Sequence, residues 1–450
     1  MTYEEAVAGK TRHEWLQAIE EKKSLIENTW EEVDRQETGE AKILNNKWVL
    51  RIKNDGRYKA RLLVCGNQQE YGIDFTETYS PVVDVSCLRI ILAVAAARNY
   101  TIFGFDIKTA FLYGELEETI FMNMPKGYPR ANKMCKLKKS LYGLKQAPLK
   151  WNELFTSFLS KNGLKALETQ RCVFKNNDGT LILVIYIDDG ILIGNNVNQM
   201  NELLSKLEYE FKMKIDKNLK TFLGIEIDKM EDGFMLKQEN YIKNILEKHR
   251  MRDSKPVETP IAGITKIADD EHDELRFPYR EVVGSSLYAS CKTRPDLAYA
   301  VNYESRFVEN PKKLDVANVK RTLRYLNGST SGGIKYVRRE DTELLEAFCD
   351  SDFAGCEDTR RSTSVYVLWC SRRQPIVSLS STEAEFIAAA ECTKELMYLK
   401  CLISEILSAQ VKVRLNVNNQ CAFKLIKNGV LNKRSKHIDV RYKFVSEKTL

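Results

Sequence analysis

No C-x-x-C pair occurs among the eleven cysteines, and the four histidines (His13, His249, His272 and His437) complete no zinc-ligand spacing. Structural zinc is thereby excluded, and free thiols in a reducing compartment are the simplest reading. Long hydrophobic runs are missing too. Stretches such as "IILAVAAA" at 90–97 fall far short of the ~20 residues that cross a bilayer. No basic segment followed by an apolar one opens the chain, so no leader is expected, and a soluble, intracellular protein with no membrane partner follows. A large excess of one charge is also absent: 69 Lys and Arg stand against 62 Asp and Glu, a net +7. The surplus is uneven, however. Residues 133–150, "KMCKLKKSLYGLKQAPLK", hold six lysines and no acid, the footprint expected where a phosphate backbone passes, although a solvated face has the same composition.

What is present is enough apolar material for two or three domains: 450 residues at 43% hydrophobic content. The segment "HEWLQAIEEKKSLIEN" spaces Trp15, Leu16, Ile19, Leu25 and Ile26 as an amphipathic helix. The period then changes. Residues 47–64, "KWVLRIKNDGRYKARLLV", form two alternating runs joined by Asn54-Asp55-Gly56, which predicts a hairpin with Lys59 and Arg61 on one face. Ser86 is the expected N-cap of a helix through "CLRIILAVAAAR", and "TIFGFDI" reads as a strand ending at Asp106. A second hairpin covers 181–194, and helices are expected near 197–212 and 238–249. This mixture is an α+β layer and not a Rossmann alternation. Residues 252–277 are polar and read as a connection, three helical patterns follow at 279–291, 296–308 and 313–326, and a second β-rich unit begins near "GGIKYV" at 332.

The second hairpin poses the chemical question. In "LILVIYIDDGILIG", Asp188 and Asp189 sit side by side between two apolar runs. Taken alone, Asp-Asp-Gly is an ordinary turn. With a third carboxylate from a neighbouring strand end, and Asp106 is the candidate, the pair would suit divalent ions, because magnesium prefers hard oxygen ligands and is held by one or two carboxylates plus substrate phosphates.

Other segments narrow the choice. "YIDD" resembles the active-site turn of reverse transcriptases. "FDIKTAFLYGELEETIFMNMPKGY", "KLKKSLYGLKQAPLKW", "RYKARLLVCGNQQEYGIDFTETYSPVVD", "FLGIEI", "TRPDLAYAVN", "RTLRYLNGS", "SLSSTEAEF" and "KRSKHIDVRYKF" resemble, in family order, the Pol polyprotein of copia-type LTR retrotransposons. The resemblance runs from about residue 12 to the end. It implies a palm-fingers-thumb polymerase followed by a helical connection and an incomplete RNase H-like α/β domain, divided at 1–255, 256–331 and 332–450. It implies an RNA-directed DNA polymerase that takes an RNA template, a DNA primer and dNTPs, with two Mg2+ or Mn2+ ions at Asp106, Asp188 and Asp189. By the same resemblance Lys59 and Arg61 grip the triphosphate, Phe111 excludes the 2′-hydroxyl and Gln146 belongs to the nucleotide pocket. From the residues alone, Phe111 can also be read as a core aromatic, Lys59 and Arg61 as solvated strand cations, and Gln146 as a loop amide. Lys136, Lys138 and Lys139 would face template or primer phosphates.

For the RNase H-like portion the resemblance assigns Asp350, Glu385 and Asp439 to acidic positions, with Asp352 and Glu383 outside the metal set. Asn418 in "VNNQ" stands where the family has an acid. The stretch "VLWC" after Tyr366 is shorter than the family's, so part of a strand pair is expected to be lost, and Leu450 falls just inside the last expected helix. RNase H activity is therefore expected to be absent, as are upstream capsid, protease and integrase portions. A cytoplasmic setting within a virus-like particle is implied, with the nucleus as a second location, and other segments of the same Pol polyprotein as further partners. Two other readings stay open: a non-catalytic nucleic-acid-binding remnant of a decayed element, and a different palm-type enzyme such as a nucleotide cyclase, against which the RNase H-like continuation argues.

Overall fold

The computed structural model describes residues 1–53, 56–128, 132–262, 277–338, 344–356, 359–366 and 370–428. Two compact units result. Met1–Val83, Gly104–Leu192 and Asn196–Asp216 form the first; Asp84–Phe103, Ile193–Asn195 and the described chain from Lys217 onward form the second. This division by packing is not the one expected at 255 and 331: the chain leaves the first unit at Asp84, returns at Gly104, leaves it for Ile193–Asn195 and leaves it again after Asp216.

In the first unit the helix Arg12–Ile26 appears where the apolar spacing placed it. Trp15, Ile19 and Ile26 are buried, whereas Leu16, read as part of the same stripe, is exposed. The expected hairpin forms between Asn46–Ile52 and Tyr58–Val64 in the register Arg51↔Lys59 and Val49↔Arg61. Ala60, Leu62 and Val64 turn inward while Lys59 and Arg61 alternate outward. The turn residues Asn54 and Asp55 lie outside the described residues. Trp30–Asp34, Lys133–Leu137, Phe121–Asn123 and Ile43–Leu44 make a four-stranded sheet in that order, and its apolar side joins Ile19, Trp48 and Leu62 in one core.

The sheet that carries the acids has six strands, ordered Met213–Asp216, Thr101–Ile107, Asp189–Gly194, Leu181–Tyr186, Val173–Lys175 and Lys165–Ala166. Its central members are apolar runs rich in β-branched residues, which suits strands covered on both faces. Leu181 through Ile185 and Ile191 through Ile193 are all buried, each large side chain contributing roughly 1.5–3 kcal/mol. The strand Thr101–Ile107 runs one residue past Asp106. The helices Ala147–Lys161 and Val197–Glu210 complete this unit.

The helix Val85–Ala97 opens the second unit, and its cap is Asp84, whose carboxylate accepts from the Cys87 N–H at 2.7 Å. Ser86, expected as the cap, instead accepts from Arg89. The three helices of the connection appear as Tyr279–Lys292, Ala298–Ser305 and Lys313–Gly328. Gly333–Val337, read as the start of the RNase H-like unit, pairs antiparallel with Gly233–Lys237 and closes a sheet with Ile225–Met230 and Thr221–Phe222. The last sheet therefore begins at Leu344. Its order is Cys370–Arg373, Thr363–Tyr366, Leu344–Ser351 and Lys412–Val417, and the long helix Ser381–Leu407 shares its core. The strand pair expected to be lost in part pairs Thr363–Tyr366 with Cys370–Arg373, with Tyr366 opposite Cys370; residues 367–369 lie outside the described residues.

Among the three connection helices, Glu304 is buried and accepts from the Thr322 hydroxyl at 2.8 Å, and its second carboxyl oxygen has no partner among the described residues. Burial, reinforced by Asp315, pushes it up to about 8. A raised folded-state value means stability that is full below the unfolded carboxyl range and falls as pH rises toward 8. Glu304→Gln should flatten the fall of thermal stability between pH 5 and pH 8 and gain about 1–3 kcal/mol at pH 8. Melting curves across that range check it; an unchanged slope would mean that Glu304 is not the group responsible.

Candidate active site

The turn between Leu181–Tyr186 and Asp189–Gly194 consists of Ile187 and Asp188, and Ile187 is in the left-handed region at φ 61°. A β-branched residue is disfavoured there by about 1–3 kcal/mol. Two bonds hold it: the Trp151 indole N–H donates to the Ile187 carbonyl at 2.7 Å, and the Ile107 N–H donates to the Asp188 carbonyl at 2.8 Å. Trp151 is itself wedged against Phe155 and Phe211, with ring centroids 5.2 and 5.3 Å away. The glycine of "DDG" has a different reason from a turn preference. A Cβ on Gly190 would lie 2.1 Å from Cζ of Phe105, so only glycine lets the Asp106 strand close on the hairpin.

That closure sets the electrostatics. Asp189 is pushed up to about 6, first by desolvation and then by the like charges of Asp188 and Asp106. Its side chain still reaches solvent, so water screens part of the repulsion. Asp188 is raised by burial and by Asp106, while Arg61 and Lys59 pull it down. Among the described residues no three acid, imidazole or thiol groups already enclose an ion-sized space. The donor set nevertheless fits a hard divalent cation whose shell is finished by substrate phosphates, since three carboxylates repel one another at a partly desolvated edge.

Beside Asp188 a cleft of about 190 Å³ is lined by Ala110, Phe111, Tyr142, Ile187 and Asp188. Phe111 stands on the short helix Ala110–Tyr113, edge-on to Tyr142 at 5.0 Å. The Arg61 guanidinium lies 5.7 Å from the centre of the Tyr142 ring. Lys59 is held below its ordinary value by burial and by the cations around it, and Asp106 opposes that shift. Tyr142 thus links the aromatic floor, the cation and the acid, and sequence reasoning missed it. The available signal was its neighbour. Gly143 adopts φ +98°, and a Cβ there would sit 2.1 Å from the Val64 carbonyl, whose own N–H donates to the Tyr142 carbonyl at 2.8 Å.

Gln146 is a correction. It is fully buried, accepts from the Gln69 amide at 2.9 Å and donates to the Asp74 carbonyl at 2.8 Å. Each end of its buried amide pins the segment 69–74, which accounts for its place in the fold without a nucleotide. The lysine run is corrected in part. Because Trp30–Asp34 pairs with Lys133–Leu137, Lys136 and Lys138 meet Glu31 at 3.6 and 2.9 Å and Lys133 meets Asp34 at 2.9 Å. Acids distant in sequence thereby offset a run that contains none. Lys139 has no ionic partner among the described residues.

The second acidic set also assembles. Parallel pairing of Leu344–Ser351 with Lys412–Val417 aligns Cys349 with Val417, and just beyond, the Asn418 amide donates to Asp350 at 2.9 Å. Glu385 is pushed up to about 7 by burial and then by Asp350, with which it shares a hydrogen bond. Glu383 accepts from the Leu379 N–H at 2.6 Å, and Asp352 accepts from the Thr363 N–H, so both are spent locally. Asp439 lies outside the described residues.

Residues 27–263 match the family described as Reverse transcriptase (RNA-dependent DNA polymerase). The chain is 39% identical over 433 residues to "Retrovirus-related Pol polyprotein from transposon TNT 1-94" of Nicotiana tabacum, covering 90% of this chain and 32% of that protein. It is 35% identical over 429 residues to the corresponding polyprotein from transposon RE1 of Arabidopsis thaliana, covering 90% and 29%. The chain therefore spans about a third of the length of these relatives. Among solved structures, the foamy viral protease-reverse transcriptase dRH in complex with ds DNA is similar at a TM-score of 0.54 and 10% identity, over 96% of this chain and 68% of that one, a likeness of fold.

The correction at Gln146 is checked by Gln146→Leu. It should lower unfolding stability by about 1–3 kcal/mol, because the Gln69 amide and the Asp74 carbonyl lose their partners in the interior. In the folded fraction, the Michaelis constant for nucleotide should stay within about twofold of the parent; intact stability with weakened nucleotide use would return Gln146 to the pocket.

Proposed function

The chain belongs to the reverse transcriptase family, as the polymerase region of a copia-type Pol polyprotein, and from that premise we propose that it copies an RNA template by adding dNTPs to a primer 3′-end. The observation that carries this is the convergence of Asp188 and Asp189, held on a strained turn, with Asp106 on the adjacent strand. Asp106, Asp188 and Asp189 would hold two Mg2+ or Mn2+ ions, which when bound acidify the primer hydroxyl and offset charge on the departing pyrophosphate. The primer 3′-oxygen forms its bond to the α-phosphorus as the bond to the β-phosphate oxygen breaks, and the hydroxyl proton is lost to solvent.

The chain's own groups prepare that step. Arg61 and Lys59, on one face of the hairpin strand, would bind the triphosphate, a role suited to a guanidinium and an ammonium. Arg61 also stays over the Tyr142 ring, so its position is set before substrate arrives. Phe111, buttressed by Tyr142, would form the floor under the sugar and reject a 2′-hydroxyl by contact. Lys139 would meet a template or primer phosphate, joined by Lys136 and Lys138 when their exposed ion pairs with Glu31 open, since such pairs are worth little.

The portion from Leu344 onward is read as an RNase H-like domain without hydrolytic activity, because Asn418 brings an amide donor and no charge to a site that would need to hold two cations. This favours, for that portion alone, the second reading of a retained nucleic-acid-binding surface. Action within a cytoplasmic particle, beside other segments of the same polyprotein, belongs to the same proposal; no helix among the described residues is long and apolar enough to cross a membrane.

Primer extension on poly(rA)·oligo(dT) with Mg2+ or Mn2+ tests the reading. The parent should extend, the RNA strand should stay uncut, and Asp188→Asn should extend at least about 100-fold more slowly without loss of melting temperature. Extension by Asp188→Asn at the parent rate would remove the acids from the chemistry, and no extension by the parent would leave the non-catalytic reading.

A further inference from the structure

The short helix that carries Phe111 is too small to hold its place by its own bonds. It has four residues, Ala110–Tyr113, and is entered through Thr109, a β-branched residue in the left-handed region at φ 59°. Such a conformation persists only where the surroundings impose it. The Leu112 N–H donates to the Thr109 carbonyl at 2.9 Å and the Gly114 N–H to the Phe111 carbonyl at 3.3 Å, but a single turn fixes more torsions than so few bonds offset. Tyr113 supplies the missing anchor. Three residues per turn put it about 120° around the helix from Phe111, so the two rings serve different sides. Phe111 meets Tyr142 and lines the cleft beside Asp188. Tyr113 meets Phe211 edge-on at 5.2 Å and Trp151 at 6.0 Å, and Trp151 is the residue whose indole holds the Ile187 carbonyl. The Tyr113 hydroxyl accepts from the Lys212 N–H at 2.7 Å.

Lys212 is the point where this loop closes. Its carbonyl accepts from the Lys108 N–H at 2.7 Å, and the strand that follows it pairs Met213 with Ile107 and Lys214 with Asp106. One residue therefore takes both ends of the segment 108–113: its carbonyl holds the end that leaves the Asp106 strand, and its N–H holds the end that follows Phe111. The closed ring of covalent and hydrogen bonds ties the Phe111 helix to the strand on which Asp106 stands. The exit is fixed as well. The Ser140 N–H donates to the Gly114 carbonyl at 2.8 Å, and a Cβ on Gly114 would lie 3.0 Å from Cβ of Lys150.

We propose that Tyr113 is a positioning residue for sugar selection: its hydroxyl, closing on Lys212, fixes the height of Phe111 relative to Asp106 and hence the room left for a 2′-hydroxyl. This rests on the reading of Phe111 as the floor under the sugar. Tyr113 touches no substrate in this role and acts through the ring two residues before it. Rejection by contact needs the contact to stay in place, so a floor free to drop away loses selectivity before it loses catalysis.

The test is a double-mutant cycle on Tyr113→Phe and Phe111→Val in the full chain, read in primer extension as the ratio of kcat/KM for a dNTP to that for the matching rNTP. Tyr113→Phe removes one oxygen, keeps the ring against Phe211 and leaves an exposed Lys212 N–H that water can satisfy, so its melting temperature should match the parent's. Its ratio should fall about tenfold, with kcat/KM for the dNTP within about threefold of the parent. In the Phe111→Val background the same change should leave the ratio within about twofold, because the ring that Tyr113 acts through is gone. An unchanged ratio in Tyr113→Phe would overturn the proposal, and if dNTP and rNTP use fell together it would mark Tyr113 as packing alone. A further fall in the Phe111→Val background would overturn it too, by showing a route that bypasses Phe111. Where Phe111→Val relaxes selectivity and Tyr113→Phe does not, this inference alone fails. A Phe111→Val enzyme that keeps the parent's ratio removes the sugar-floor reading and this inference with it, and a parent that extends no primer removes both together with the polymerase reading.

Discussion

The left-handed turn at Ile187 is the constraint on which the candidate site depends. It places Asp188 and Asp189 at the turn of a buried hairpin, and it persists because the Trp151 indole and the Ile107 amide take the carbonyls of Ile187 and Asp188. Remove either bond and the hairpin is free to relax toward an ordinary turn. The bonds in turn need Trp151 fixed among Phe155 and Phe211, and the Asp106 strand drawn close over Gly190. Aromatic packing, a missing Cβ and two hydrogen bonds thus act together to keep like charges near one another.

The cationic side answers that charge from one strand. Arg61 and Lys59 come from the hairpin, and Tyr142 carries Arg61 over its ring while standing against Phe111. The two acidic sets of the chain have met the problem of mutual repulsion differently. At Asp106, Asp188 and Asp189 it remains, as an incentive to bind cations. Around Asp350 it has been eased within the protein, by the Asn418 amide and by the raised carboxyl of Glu385. A hydrogen bond from an amide satisfies a lone pair but cannot organise water or phosphate as an ion does.

Much of this could be read from the sequence where one local pattern carried the information. Alternation placed Lys59 and Arg61 on one face, the apolar runs around Asp188 gave the hairpin, and three helical patterns gave the connection. Reading failed where a distant partner decided the outcome. The resemblance put Gln146 in the nucleotide pocket, and the residues alone could not show its partners, Gln69 and the Asp74 carbonyl, which are more than seventy residues away in the chain. The lysines of 133–150 were read as unopposed because Glu31 and Asp34 arrive only through strand pairing. Gly333–Val337 carried no mark of its partner, and β-periodicity alone cannot say which sheet a strand joins. The cap at Asp84 lies two residues before the Ser86 expected, a common uncertainty at helix ends.

The central claim is that the fold holds the acids in a state that a divalent cation relieves. It is tested most directly by following the Asp189 side-chain carboxyl by carbon NMR through a pH titration, first with chelator and then with Mg2+ and a non-hydrolysable dNTP analogue. Without the ion the carboxyl should titrate near 6, as its surroundings require, and with the ion its midpoint should fall below the ordinary aspartate range of about 3.9. An Asp189 carboxyl that titrates at an ordinary value in both conditions would contradict the account.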